Sequence, residues 1–276
     1  MPERTIVITG ASDGIGAAAA RALAARGDQV VVVGRSPQKT AAVAAEVGAE
    51  SYVADFARLD EVRELASALL ARYPHIDVLA NNAGGIMGDR TETVDGHEKT
   101  FQVNHLGPFL LTSLLIDRLV ASRARVITTS SVANRYFGHF ELDDLDARAS
   151  YKPNKAYGDA KLANILFTRE LHRRYPPPAG VSAAAFHPGG VATNFAAEST
   201  SPMRIVYTSA LRRALISPEK GADTLVWLAT TEPGTQWVSG EYYEKRRIAK
   251  ANAQAADAGL ARELWERSAA MVALAD

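Results

Sequence analysis

Short apolar runs alternate along the chain with stretches in which apolar residues recur at every third or fourth position. The runs are rich in β-branched residues, as in strands that are buried on both faces of a parallel sheet. They predict strands at residues 5–8, 29–33, 50–53, 76–80, 125–129, 181–186 and 241–243. The periodic stretches predict helices at residues 17–26, 37–48, 59–73, 95–121, 154–174 and 256–273.

The regular alternation of strands and helices predicts the fold. Repeated β-α units build parallel sheets with helices on both faces. We therefore expect a single Rossmann-type α/β domain over residues 1–276, with a doubly wound parallel sheet in the order 3-2-1-4-5-6-7. Ligands of such sheets bind beyond the carboxyl ends of the strands. Polar or glycine residues stand at or just past these ends, namely Gly10, Arg35, Asp55, Asn81 and Ser131.

Composition excludes several classes of function. The chain has 31 Lys and Arg against 31 Asp and Glu, so it has no basic surplus for nucleic acid or an anionic membrane. It has no cysteine, and no His, Asp or Glu cluster has metal-ligand spacing, so we expect no metal. No apolar run reaches membrane-spanning length, and the first strand follows Met1 too closely for a signal peptide. We expect a cytoplasmic protein with no membrane partner.

A glycine-rich turn joins the first strand to the first helix. Gly10, Gly14 and Gly16 follow the pattern G-x-x-x-G-x-G. The first glycine permits a tight turn, and the other two let backbone N–H groups at the helix start approach a pyrophosphate. The turn predicts a dinucleotide site, and an ordinary strand–helix turn is the alternative.

The end of the second strand indicates which dinucleotide. An acidic residue there would bind the ribose 2′-OH of NAD, but the chain reads Val33-Gly34-Arg35-Ser36 with Lys39 one turn later. Arg35 can pair with a phosphate through two hydrogen bonds, which favours NADP (NADPH) over NAD. The alternative is that Arg35 is a solvated loop residue. Asp55, after the third strand, could accept a hydrogen bond from the adenine amino group or form a turn.

Tyr157 and Lys161 are one helical turn apart, so their side chains project from one face of the predicted helix. Free tyrosine, with a pKa of about 10, is a poor acid or base at neutral pH. A lysine cation about 4 Å away, at an effective dielectric of about 20, favours the phenolate by up to about 4 kcal/mol. This is enough to lower the pKa of the phenol by about 2–3 units. The pair predicts proton transfer to a carbonyl or from an alcohol.

The same spacing occurs in Tyr151 and Lys155, but Pro153 lies between them. Proline disfavours helical geometry in the preceding residue and fits only the first turn of a helix. Tyr151 therefore precedes the helix, and Tyr157 and Lys161 are the pair that we expect to act together.

Further polar residues surround this pair. Ser130 and Ser131 end the fifth strand, and adjacent strand residues point to opposite faces, so at most one of them can bind a substrate oxygen. The alternative is a simple serine turn at the end of the strand. Asn104 lies among apolar residues of a predicted helix, where it either holds a water that relays protons to Lys161 or bonds a neighbouring backbone carbonyl.

Together these motifs resemble the short-chain dehydrogenase/reductase family. The resemblance rests on the glycine turn, Asn81-Asn82-Ala83-Gly84, Asn104, Ser131, Tyr157 to Lys161, and Pro188-Gly189, in the family's order. The chain is most similar to the retinol-dehydrogenase-type branch. The stretches that carry this second likeness are Asn104-His105-Leu106-Gly107-Pro108-Phe109, Lys161-Leu162-Ala163-Asn164 and Leu264-Trp265-Glu266-Arg267-Ser268.

The resemblance implies a catalytic set and a cofactor site. Tyr157 would exchange the proton, Lys161 would lower its pKa and hold the nicotinamide ribose, Ser131 would orient the carbonyl and Asn104 would complete the tetrad. The cofactor would contact Gly10, Ser12, Asp13, Gly14, Ile15, Gly16, Arg35, Lys39, Asp55, Phe56, Asn81, Ala83, Gly84, Tyr157, Lys161, Pro188, Gly189, Val191 and Thr193.

Two segments are expected to border the substrate. Residues 132–150 are longer than in the shorter family members and predict an extra loop or short helix near the pocket, in which Tyr136, Phe137, His139 and Phe140 could face the substrate. Such an insertion leaves monomer and homo-oligomer both open. Residues 188–217 are expected to form a lid. His187, just before it, is interpreted as a hydrogen-bonded residue at a strand end.

The lid's apolar positions recur at helical spacing, at Met203, Val206, Tyr207, Ala210 and Leu211. They indicate either a wall for a lipophilic carbonyl compound or ordinary helix packing. We expect an NADP-dependent oxidoreductase that interconverts a carbonyl, either a ketone or an aldehyde, and an alcohol by hydride transfer. The alternative is a catalytically silent NADP-binding sensor or scaffold protein.

Overall fold

The computed structural model describes residues 4–191 and 215–274, which form an α/β fold around one sheet. The strands are β1 (Thr5–Thr9), β2 (Gln29–Gly34), β3 (Glu50–Val53), β4 (Val78–Asn81), β5 (Arg125–Thr129), β6 (Ser182–His187), β7 (Glu241–Glu244) and β8 (Arg247–Ile248). Their order in the sheet is β3-β2-β1-β4-β5-β6-β7-β8. Strands β1 to β7 are parallel, which confirms the predicted order.

Helices cover both faces of the sheet. The described α-helices are α1 (Gly14–Ala24), α2 (Pro37–Val47), α3 (Leu59–Arg72), α4 (Lys99–Phe101), α5 (Gly107–Leu114), α6 (Ile116–Ala121), α7 (Ala133–Tyr136), α8 (Pro153–Arg174), α9 (Pro218–Thr230) and α10 (Ala258–Met271). Residues such as Ile6 and Val32 pack with α1, α2 and α9, whereas Val7 and Val33 pack with α3, α5, α8 and α10. The alternation of side chains along each strand produces these two cores.

The long helix predicted at residues 95–121 is not a single element in the structure, so this prediction is wrong. It begins only at Lys99, because the Glu98 carboxylate accepts hydrogen bonds from the Thr100 and Phe101 backbone N–H groups and caps α4. Residues Gln102–Leu106 then form a π-helical turn. Pro108 has no N–H to donate to the Asn104 carbonyl four residues earlier, which favours this local widening.

Two elements were not expected from the sequence. Helix α9 begins at Ser217-Pro218, where the Ser217 hydroxyl accepts from the Lys220 N–H, as Ser36 caps α2. Serine followed by proline was therefore a start signal here too. Strand β8 pairs antiparallel with β7.

Candidate active site

A cavity of about 560 Å³ lies at the carboxyl ends of the parallel strands. Of the residues predicted for the site, those that line it are Gly10, Ser12, Asp13, Gly14, Ile15, Arg35, Lys39, Asp55, Phe56, Ala83, Gly84, Ser131, Tyr157, Lys161, Pro188, Gly189 and Val191. Gly16, Asn81 and Asn104 are not among the lining residues, and Thr193 lies outside the described residues. The fold thus brings together at one rim residues that are far apart in the chain.

The glycine turn brings the start of α1 close to the cavity. Gly10 and Gly14 have φ angles of 64° and 54°, a left-handed conformation that favours glycine. A methyl group at Gly16 would lie 2.3 Å from the Gly10 carbonyl oxygen, so only glycine lets the helix pack against the turn. The Asp13 carboxylate caps α1 by accepting from the Gly14 N–H at 2.7 Å. This backbone geometry suits a bound pyrophosphate.

Asn82 holds this turn in place, a role that sequence reasoning missed. Its Nδ2 donates to the carbonyls of Thr9 at 3.0 Å and Gly10 at 3.3 Å, and its Oδ1 accepts from the Thr129 hydroxyl at 3.2 Å. Asn82 lines the cavity, whereas the Asn81 amide is buried and donates to the Thr112 hydroxyl at 2.8 Å. Neighbouring residues at a strand end point to opposite sides, which could have separated the two asparagines.

Two cationic side chains line the cavity beyond β2. Arg35 and Lys39 contribute to its wall, and Lys39 Nζ lies 3.3 Å from an Asp13 carboxylate oxygen in an exposed ion pair. The Asp55 carboxylate accepts from the Ala57 N–H at 2.9 Å, so it forms a turn and also borders the cavity. The segment that directly follows β2 carries a positive and not a negative side chain.

Tyr157 and Lys161 lie together on α8 with almost no exposure to solvent, at 6% and 2%. Lys161 Nζ is 5.5 Å from the centroid of the Tyr157 ring and donates to the Thr129 carbonyl at 3.1 Å. Burial lowers the pKa of Lys161 to about 7, because an ammonium loses hydration in the protein interior. A change in its surroundings, such as a bound ligand, can therefore determine whether Lys161 is charged at neutral pH.

The competing pair is separated as predicted. Helix α8 begins at Pro153, and the preceding residue, Lys152, is extended. The Tyr151 hydroxyl donates to the Gly88 carbonyl at 3.0 Å, while Lys155 pairs with Asp159 at 2.7 Å. Tyr151 and Lys155 therefore have different partners and do not form a unit.

The two serines at the end of β5 border the cavity but differ in their hydroxyl contacts. Ser130 is buried, and its hydroxyl donates to the Lys161 carbonyl at 2.7 Å. Ser131 is less buried, and its Oγ accepts from the Ala133 N–H at 3.2 Å, which leaves the hydroxyl proton for donation to another group. Ser131 is therefore the serine with a hydroxyl suited to a substrate oxygen.

The Asn104 side chain lies behind the cavity wall, inside the π turn. Its Oδ1 accepts from the Gly85 N–H at 3.1 Å, and its Nδ2 donates to the carbonyls of Gly85 and Thr100, both at 2.8 Å. These contacts match the second interpretation of Asn104, in which it bonds the neighbouring backbone. Asn104 thereby fixes the Gly84-Gly85 segment beside Lys161.

His187 differs from the expectation of a hydrogen-bonded histidine. It lies at the end of β6, lines the cavity and is buried, and its Nδ1 has no hydrogen-bond partner among the described residues. Burial lowers the pKa of His187, so its ring is neutral at physiological pH. Sequence patterns do not give the strand register around β6, and without it the unpartnered nitrogen of His187 could not be predicted.

The two segments predicted to border the substrate are described to different extents. In residues 132–150, Tyr136 and Phe137 are exposed and line the cavity, whereas Phe140 is buried 6.4 Å from Phe101 and His139 is not a lining residue. In residues 188–217, Val191 and Ile216 form a β-bridge. Thr193 and the apolar positions at 203–211 lie outside the described residues.

Two kinds of feature are absent from residues 4–191 and 215–274. In this part of the chain no helix combines the length and the apolar character that crossing a bilayer requires. The same residues contain no group of three or more His, Asp or Glu side chains that could hold a metal ion.

Comparisons with known proteins identify the family. Residues 4–204 match the family model described as short chain dehydrogenase. The chain is 46% identical over 279 residues to "Putative daunorubicin C-13 ketoreductase DnrU" of Streptomyces sp. (strain C5), covering 99% of this chain and 93% of the relative. It is 36% identical over 288 residues to Retinol dehydrogenase 13 of Homo sapiens, covering 99% and 86%. The chain therefore belongs to the short-chain dehydrogenase/reductase family.

These relatives also define the branch. Their names and identities support the retinol-dehydrogenase-like branch that the motifs predict, so the protein is an enzyme of this oxidoreductase family. A crystal structure of an uncharacterised protein from Mycobacterium paratuberculosis has the same fold. It matches with a TM-score of 0.78 at 34% identity, covering 98% of this chain and 93% of that chain.

Proposed function

We propose that the protein is an NADP-dependent oxidoreductase that interconverts a ketone or aldehyde and an alcohol by hydride transfer, with Tyr157 as general acid or base. The observation that carries the proposal is the contact between Tyr157 and the buried Lys161 in a cavity that also contains the glycine turn. A tyrosine with a lowered pKa can transfer a proton, and a glycine turn at the start of a helix can bind a dinucleotide.

The lining residues fit a nicotinamide dinucleotide. The glycine turn and the start of α1 would hold the pyrophosphate, and Pro188, Gly189 and Val191 would border the nicotinamide. Arg35 and Lys39 would pair with the 2′-phosphate of NADP, which supports NADP over NAD. When bound, the nicotinamide supplies or accepts the hydride.

The protein's own groups would handle the proton. The Tyr157 hydroxyl would donate to the carbonyl oxygen during reduction and accept from the alcohol during oxidation. The Ser131 hydroxyl would hold the same oxygen, which stabilises the charge that develops on it. The Lys161 ammonium would favour the phenolate form of Tyr157 and bind the nicotinamide ribose, while Asn104 would keep Gly84 and Gly85 in position beside Lys161.

The wall around Tyr157 supports a bulky apolar substrate. Ile86, Met87, Tyr136 and Phe137 all line the cavity, and the last two expose large aromatic surfaces. Aromatic surfaces of this kind stack against flat apolar groups. One relative is named as a ketoreductase, which supports a ketone as the group that reacts. We propose that residues 132–150 contribute this aromatic wall and that 188–217 close the site as a lid of the single domain.

The direct test is calorimetric titration with NADPH and NADH, followed by a panel of aromatic and aliphatic ketones and aldehydes monitored by nicotinamide absorbance. We expect NADPH to bind at least about tenfold more tightly than NADH and to be oxidised with apolar ketones. Tight NADPH binding without turnover of any carbonyl compound would instead support a sensor or scaffold. Failure to bind either dinucleotide would contradict the proposal altogether.

A further inference from the structure

A chain of buried hydrogen bonds connects Lys161 with the C-terminal helix α10. Lys161 Nζ and Asn164 Nδ2 both donate to the Thr129 carbonyl, at 3.1 and 3.0 Å. Asn164 Oδ1 lies 3.3 Å from His105 Nδ1, and His105 Nε2 lies 3.0 Å from Ser268 Oγ. All five residues are buried, so the hydrogen bonds between them are shielded from competing water.

The chemistry of these groups allows only one assignment of hydrogen-bond donors and acceptors along the chain. Asn164 uses its NH₂ group on Thr129, so the oxygen that faces His105 can only accept, and His105 Nδ1 must carry a proton. Burial lowers the pKa of His105 to about 4, so the ring is neutral at pH 7 and its Nε2 is an acceptor. The Ser268 hydroxyl therefore donates to Nε2. The donors run in sequence from Ser268 to His105, then to Asn164 and Thr129.

Packing keeps the His105 ring in this orientation. The ring centroids of Phe101, Phe109 and Phe167 lie 5.1, 6.1 and 6.3 Å from that of His105. On α10, Trp265 stacks on Phe167 with centroids 5.6 Å apart, which holds Ser268 in register with the histidine. The three stretches that carry the likeness to the retinol-dehydrogenase branch thus meet in this one network.

We propose that Ser268, His105 and Asn164 are positioning residues for Lys161, so that α10 belongs to the catalytic unit. This inference rests on the proposed function of Lys161. The Ser268 hydroxyl donates to the His105 ring, and the His105 Nδ1 proton holds the Asn164 amide in the direction that the Thr129 carbonyl requires. The amide in turn determines which atoms share the Thr129 carbonyl with the Lys161 ammonium. Ser268 lies beyond the residues 4–204 that match the family model.

Loss of the Ser268 hydroxyl has a defined electrostatic consequence. Without that donor, His105 Nε2 loses the partner that anchors the ring, and the ring no longer holds the Asn164 amide against the Thr129 carbonyl. A Thr129 carbonyl that no longer accepts from Asn164 interacts more strongly with the Lys161 ammonium, which favours charged Lys161 and moves its titration to higher pH. Among the described residues, the titratable side chains near Lys161 are Tyr157 on α8 and His105 on the π turn, and β5 contributes the Thr129 carbonyl, while the Ser268 hydroxyl of α10 contacts His105 and not Lys161.

The test measures the dissociation constant of NADPH against pH, by nicotinamide fluorescence, in the full chain and in its variants. Ser268→Ala and His105→Phe each break the network, and the double variant shows whether they act together. Thr168→Val is the matched control. The buried Thr168 hydroxyl, one turn along α8, donates to the Asn164 backbone carbonyl at 2.8 Å and not to the network's side chains.

We expect the wild-type binding curve to break near the pKa of Lys161, at about pH 7. Both network variants should move the break upward by about half a pH unit or more, and the double variant should move it no further. Thr168→Val should leave the break in place. With an aromatic ketone that the wild type reduces, kcat should fall about tenfold in the network variants and stay unchanged in the control.

Several results would overturn the inference. In one such result, Ser268→Ala and His105→Phe lose as much thermal stability as Thr168→Val does, but the break in their binding curves stays at the wild-type pH. Another is ¹⁵N NMR showing that His105 carries its proton on Nε2. Tyr157→Phe distinguishes a failure of this inference from a failure of the proposed function. If that variant is inactive and the network variants behave as the control does, only the inference fails; if it keeps wild-type turnover, the proposed function fails.

Discussion

Gly84 leaves space for Asn104 where any larger residue would not. A methyl group on Gly84 would lie 2.4 Å from Asn104 Oδ1 and 3.2 Å from Lys161 Nζ. The Asn104 side chain cannot retreat without losing its three hydrogen bonds to the backbone. The glycine is therefore required by close packing beside Lys161 and not by its backbone angle.

Gly84→Ala tests this packing. We expect it to displace Asn104 or Lys161, to lower the free energy of unfolding by about 1–3 kcal/mol and to reduce kcat at least about tenfold. Chemical denaturation and steady-state kinetics measure the two effects. Gly259→Ala in α10, where the methyl would meet only an Asp257 carboxylate oxygen at 3.2 Å, should leave kcat unchanged. An active, fully stable Gly84→Ala enzyme would mean that Asn104 has no positioning role.

Lys161→Met should make the folded protein more stable and should also abolish its activity. The pKa of Lys161 is about 7 in the folded chain, below the ordinary lysine value of 10.5, so the unfolded chain binds more protons between these pH values and wild-type stability rises with pH there. The cost of burying the ammonium is greatest below about pH 7. We expect the melting temperature of Lys161→Met to exceed that of wild type most at pH 6, by a margin that narrows toward pH 10. Equal melting temperatures at every pH would contradict a buried, charge-bearing lysine.

The fold was largely predictable because its signals are local. β-Branched runs and caps such as Ser36-Pro37 determine the strands and the starts of helices, and strand–helix alternation determines the sheet order. The π turn at Gln102–Leu106 was missed because it follows from the missing donor at Pro108, and the helix start at Lys99 was missed because it follows from the cap at Glu98. Each of these features taken alone also occurs in ordinary helices.

Arg35→Ala should weaken binding of NADPH but not of NADH. A charge-assisted hydrogen bond to a phosphate contributes about 1.5–3 kcal/mol, so we expect the dissociation constant of NADPH to rise about 10- to 100-fold. Calorimetric titration of both cofactors measures the change. Arg26→Ala, an exposed arginine just beyond α1, is the control for loss of one positive charge. If both cofactors weaken equally, Arg35 does not recognise the 2′-phosphate.

Tyr136→Ala and Phe137→Ala should raise KM for apolar ketones about tenfold without changing NADPH affinity, because both side chains present aromatic surface to the cavity. Kinetics with aromatic and short aliphatic ketones give the comparison, and the effect should be smaller for the aliphatic series. Val94→Ala, which truncates an exposed apolar side chain that does not line the cavity, is the matched variant. An unchanged KM would place the substrate elsewhere.

The placement of the residues proposed for proton transfer was predictable from the sequence, but most contacts of the candidate site were not. Tyr157 and Lys161 share a helical face, and Pro153 excludes the competing pair, so spacing together with the proline identified them as neighbours. The neighbours of Lys161 come from distant segments, and no local pattern could show that Asn82 holds the glycine turn or that Ser268 reaches His105. Such contacts depend on strand register and helix packing.

The most direct measurement is turnover by Tyr157→Phe, with NADPH titrated into the same preparation. The substitution removes one hydroxyl and keeps the ring beside Lys161, so NADPH should bind within about twofold of wild type. Reduction of an apolar ketone should fall by at least about a thousandfold, because the proton has no other donor of suitable strength. Wild-type turnover by this variant would contradict Tyr157 as the acid and base of the reaction.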